Sequence, residues 1–197
     1  MAKHILKFDP WLVAYLEAAG WRAYYDRNWW RMLRILIQMC RQQFKMPQLM
    51  ACVGAYYATR AAVAWVPTEH NLHRVRYYYT KFYQLARCYC GLDFDPAEVA
   101  RLEVEYSEVH RRLSGQANKS EFVRVLTELH AAVFGLSLNQ ARESAEWRVE
   151  ANNIVDLITT YKSANPAEDW AKLENYLHSC YQSIQLELNK KLVSHAS

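Results

Sequence analysis

A carboxylate and an imidazole on one helical face can hold a metal ion or pass a proton, and this sequence offers several such combinations. Glu103 and His110 are seven residues apart with Tyr106 between them, so a helix would set all three on one flank. Glu174 and His178 are four apart, with Tyr181 on the same side. His130 borders an apolar seam, and Glu146, Glu150, Asn153 and Asp156 interrupt another apolar pattern. Helical bundles that bind paired metals draw Glu and Glu-x-x-His ligands from four helices. Here Glu108-x-His110 and Glu128-x-His130 have a single residue between, which sends the two ligands to different faces. The metal candidates are therefore Glu103, His110, Glu174 and His178, and no other cofactor is expected.

Arg60 is a second group that needs a chemical reason. It stands in an otherwise uncharged run from Gln48 to Trp65, with Tyr56 and Tyr57 one turn before it. A guanidinium in apolar surroundings needs a carboxylate, backbone carbonyls or a bound anion. Either a glutamate of the C-terminal half pairs with it, or Tyr56, Tyr57 and Arg60 grip a ligand's carboxylate or phosphate. The templates of covalent and nucleotide chemistry are missing: the chain has no Gly-x-Ser-x-Gly, Walker loop, Gly-x-Gly-x-x-Gly or His-Glu-x-x-His. Cys88-x-Cys90 lacks the spacing of a zinc knuckle or redox loop. Five cysteines, an odd count placed mostly in apolar patterns, read as small core residues of a reducing compartment.

The charge is modest in sum and lopsided in distribution. The net charge is +4, but residues 1–92 carry +9 and residues 93–197 carry −5, and 18 of the 27 aromatic residues fall in the first part. Arg27, Arg31, Arg34, Arg41 and Lys45 fall in one helical stripe beside Trp30, Leu33, Ile37, Cys40 and Phe44. Arg74, Arg76, Lys81 and Arg87 alternate with Tyr77, Tyr78, Tyr79 and Tyr83. Such a surface can meet an acidic protein, a nucleic acid or an anionic membrane, or the basic half can dock the acidic half of its own chain. No RNA-binding aromatic motif, zinc finger or helix-turn-helix spacing favours nucleic acid.

The elements that must position these groups are helical. Asp9-Pro10, Asp95-Pro96 and Asn165-Pro166 each join a capping side chain to a proline suited to a first helical turn, and Ser120 and Ser137 are further N-cap candidates. Gly91, Gly115 and Gly135 follow apolar-periodic runs, where helices close. The pattern predicts helices over 10–19, 27–45, 47–65, 70–90, 96–114, 120–134, 138–162 and 166–190, joined by short connections and therefore antiparallel to their neighbours. The run from Gln48 to Trp65 is eighteen residues long, but Arg60 near its centre and its Ala, Gly and Tyr content speak for a core helix over a membrane span. Met1–Pro10 lacks the apolar stretch of a secretory signal.

These observations point to one all-α domain over residues 1–197, a bundle of seven to eight helices in the cytoplasm. The leading expectation is a non-catalytic assembly protein in which Arg27, Trp30, Arg31, Arg34 and Arg41 dock a protein partner or a second copy, in preference to nucleic acid or an anionic membrane. The alternative is a helical enzyme or ligand-binding protein with a pocket lined by Tyr, Arg, Glu and His, with or without a metal ion.

Overall fold

The computed structural model describes residues 6–194. They form eight α-helices: α1 (Pro10–Tyr25), α2 (Trp29–Phe44), α3 (Gln48–Trp65), α4 (Leu72–Cys90), α5 (Pro96–Leu113), α6 (Ser120–Phe134), α7 (Leu138–Thr159) and α8 (Pro166–Ser194). Residues 1–5, over which a signal was sought, lie outside the described residues. The punctuation acts as its chemistry requires. Asp9 accepts from the backbone N–H of Trp11 and Leu12, Asp95 from Ala97, and Ser137 forms a reciprocal capping box with Gln140. Gly91 and Gly135 close α4 and α6 in the left-handed conformation.

Two local expectations are corrected. The first helix runs on past Gly20 to Tyr25, because Gly20 is buried and its Cα side faces Ile35 of α2. Burial there outweighs the helix penalty of about 1 kcal/mol that a glycine carries. Ser120 is the first helical residue of α6 rather than its cap; Lys119 precedes it without a side-chain cap, and the Asn118 side chain takes the Ser120 N–H.

Each helix packs against its neighbours in the chain, and α1 also packs against α8, so the bundle closes into a ring. Connections of three to six residues between packed neighbours force them antiparallel. At the closure the Gln185 side chain accepts from the Phe8 N–H at 2.9 Å and donates to the Leu6 carbonyl. Helices α2 and α3 approach closely at Gly54, where a Cβ would stand 3.4 Å from Cys40 Sγ of α2 and 3.1 Å from Met46 Sδ of the connection between them. The apolar seam of α8 is its inward face: Leu173, Leu177, Cys180 and Ile184 are fully buried. No described helix is long and apolar enough to cross a membrane.

Leu177 stands at the centre of this seam with no solvent exposure. Leu177→Ala is expected to lower unfolding free energy by about 2–5 kcal/mol, read from a urea melt with unchanged slope.

Candidate functional site

A ring of helices leaves a lumen, and here it is a cavity of about 600 Å³ to which all eight helices contribute. One end is plugged by Phe44 and Phe134, the last residues of α2 and α6, and by Phe82. The other end lies where α1, α3, α5 and α7 terminate; exposed Tyr25, Arg27, Arg111 and Ser114 rim it. Between them Trp21, Tyr24, Trp65, Tyr79, Tyr83 and Tyr106 make an aromatic wall.

Polar groups enter that wall at two depths. Counting helical rise from the rim, His110 and Asp156 lie about 5 Å down, and Glu17, Glu103, His130 and Arg148 about 12–17 Å down. The deep level is built around an ion pair. Arg148 of α7 donates through Nη1 to Glu17 Oε2 at 2.8 Å and through Nη2 to Oε1. The Tyr181 hydroxyl of α8 donates to Glu17 Oε2 at 2.6 Å. The guanidinium also lies over the rings of Trp21 and Tyr106, 5.5 and 5.8 Å from their centroids. Burial disfavours the Arg148 cation, but Glu17 and Tyr181 override it and hold the group charged. Asn152 donates to the Arg148 carbonyl and accepts from the Tyr106 hydroxyl at 3.1 Å, which fixes that ring.

Across the lumen the Tyr83 hydroxyl donates to Glu103 Oε1. Burial lifts the Glu103 carboxyl above the ordinary range, against the hydrogen bond from Tyr83 and the charge of Arg148. His130, hydrogen-bonded to Ser144 at 2.8 Å, is driven down to about 3 by burial and stays neutral. Near the rim, His110 Nε2 lies 2.9 Å from Asp156 Oδ1. Burial is the largest single influence and works to raise Asp156, but the hydrogen bond and charge of His110, with Ser114 and Lys119, together outweigh it and the carboxylate rests below its usual range.

Three buried polar atoms on the lining have no hydrogen-bond partner: Gln43 Oε1, Arg148 Nε and Asp156 Oδ2. A native interior seldom leaves such groups unmatched without water, an ion or a ligand to meet them.

The sequence-predicted residues divide. Glu103 and His110 line the lumen, but two helical turns separate them, about 10 Å of rise, and each has its own partner. Glu174 and His178 are remote from both: His178 stacks on Trp11 with ring centroids 3.5 Å apart, where α8 meets α1. The four expected metal ligands therefore do not converge, and among the described residues no group of three or more His, Cys, Asp or Glu is arranged to hold a metal. Glu150 is exposed. Arg60 neither finds a carboxylate nor lines the lumen; it lies over the rings of Tyr56 and Tyr78. Helix α3 turns Ala58, Ala62 and Trp65 inward, which leaves Tyr56 exposed and Tyr57 half-buried against the core. On α2 the inward stripe is Met32, Leu36, Cys40 and Gln43, so Trp30, half a turn away from Met32, is 77 % exposed. Arg27, Arg31, Arg34 and Arg41 are exposed and make no ion pair among the described residues.

Glu17, Arg148 and Asn152 do not stand out in the sequence, and Tyr83 does so only as part of an arginine–tyrosine surface, although a signal existed. Glu17 is the sole acid in an apolar helix, and Arg148 and Asn152 continue the inward stripe Ala141, Ala145, Val155 of α7. Removing one ion of a buried pair leaves the other uncompensated. Arg148→Met is expected to cost about 3–5 kcal/mol in chemical denaturation, with Glu17→Leu in the same chain recovering most of the loss. No family model, characterised protein or solved structure matches this chain.

Proposed function

We propose that this protein binds a small, ring-bearing and mostly apolar molecule in the lumen of its helical ring. The observation that carries this reading is the coincidence of an aromatic-walled cavity with buried polar atoms that lack partners on its lining, Gln43 Oε1 above all, in a residue only 4 % exposed. The volume is that of a drug-sized ligand site, and such sites combine apolar walls with a few fixed polar groups. The unmatched atoms set the ligand's polarity. Gln43 Oε1 and Asp156 Oδ2 call for O–H or N–H donors, and Arg148 Nε calls for an acceptor. Glu103 and the His110–Asp156 pair add polar groups at two depths that a guest would meet.

The probe that tests this is 1-pyrenebutanol, a neutral ring compound, followed by fluorescence titration. One molecule per chain should bind, and Ala58→Trp, which fills the lumen from α3, should weaken binding about tenfold or more at unchanged helicity. Absent binding, or binding indifferent to that substitution, would refute the reading.

A second reading rests on a different surface. Trp30, 77 % exposed, stands among the exposed Arg31, Arg34 and Arg41, and such an aromatic–arginine patch suits a protein partner or a second copy of the chain. In sedimentation velocity, an assembly formed through this face should be lost in the Trp30→Ala/Arg34→Glu double variant. Mass unaltered by those changes would count against self-association there.

A further inference from the structure

We propose that the rim of the lumen binds an anionic group, a carboxylate or a phosphate, at the end of the lumen's ligand, with Arg27 and Arg111 as its two anchors. This rests on the lumen reading above and names the class of molecule it takes: an amphipathic acid whose ring or chain enters first. The cavity, about 600 Å³, is too small for the two acyl chains of a phospholipid, so the guest is a single-chain or ring acid.

Both guanidiniums line the lumen at its open end, and each is held by a ring face instead of a carboxylate. Arg111 lies 4.3 Å over the Trp65 ring, donates through Nη2 to the Trp65 carbonyl at 3.1 Å, and sets Nη1 3.3 Å from His70 Nδ1. The residue after it behaves differently: Arg112 pairs with Glu121, and Arg101, Arg124, Arg142 and Arg148 also have carboxylates. Arg111 is thus fixed in place with its charge unanswered. Arg27 lies over Tyr24 and Trp29, 5.3 and 5.9 Å from their centroids. Its backbone adopts φ 56°, the left-handed region that a non-glycine residue rarely occupies. That strained turn between α1 and α2 delivers the side chain to the rim.

The other charges facing the rim leave room for an anion. Asp156 is the one carboxylate of the lining at this depth, and it is engaged by His110. Lys119, whose Nζ donates to the Leu113 carbonyl at 2.6 Å, acts electrostatically on Asp156 from the start of α6. Of the groups that line the rim, Arg27 and Arg111 are the cations and Asp156 is the carboxylate, one oxygen of which His110 engages. In the depth below, the guanidinium of Arg148 is already paired with Glu17, so a guest's charge is met at the rim and its apolar body at the aromatic wall.

The test compares 1-pyrenebutanoate with 1-pyrenebutanol, which share one ring system and differ in charge, on the wild-type chain and on Arg27→Gln, Arg111→Gln and the double variant. The acid should bind about tenfold more tightly than the alcohol at low salt, an advantage that shrinks in about 0.5 M salt. The double variant should lose that advantage and keep the alcohol's affinity within about twofold, which also reports that the lumen is intact. Equal affinities for the two probes, or equal loss of both in the double variant, would overturn the anion site while leaving the lumen reading standing. Failure of both probes to bind the wild-type chain would bring down the two together.

Discussion

Side chains have to fill what a closed ring of helices leaves at its centre. With axes 8–10 Å apart, eight helices on a regular ring would stand about 12 Å from its axis, a gap too wide for aliphatic side chains to meet across. Contact between α2 and α4 flattens the ring on one side, and the remainder is taken up by long residues. This constraint accounts for the aromatic wall of Trp21, Tyr79, Tyr83 and Tyr106, and for the reach of Arg148 and Glu17 toward each other. An aliphatic core would leave a larger void, whereas these side chains narrow it to a cavity with a defined chemistry.

The Arg148–Glu17–Tyr181 network solves one problem and creates another. It brings three helices, α7, α1 and α8, to one point, and its charges satisfy each other. At the same level burial raises the Glu103 carboxyl and keeps His130 neutral. The half-to-half docking expected from the charge split runs in the opposite sense here. The acid comes from the basic half of the chain and the arginine from the acidic half. The remaining ion pairs join residues within the acidic half or, as with Arg87–Asp93, sit at its border.

Helix positions were legible because their signals are local. Asp-Pro pairs, closing glycines and the 3.6-residue period each act within a turn or two, and the ends of α3, α5 and α6 follow from them closely, whereas α7 stops three residues short of the expected end. The site was legible only in part. Glu103, His110 and Asp156 stood out as polar residues on apolar flanks, and they do face the lumen. Arg60 stood out by the same logic and does not, because the rotation of α3 is set by Ala58 and Ala62 packing inward. Small residues on a helix leave its facing direction open to neighbours distant in sequence. The ion pair is the extreme case: its partners are 131 residues apart, and nothing near either one names the other.

Most helix contacts join neighbours in the chain and can form with little loop-closure entropy; the α1–α8 seam joins residues 177 apart. Folding of such a chain resembles the zipping of a strip, whose last event is to curl shut. Glu17 rides on α1, so until that curl is complete Arg148 faces an unfinished wall without its counter-ion. Closure of the ring and pairing of the deep charges are therefore one structural event.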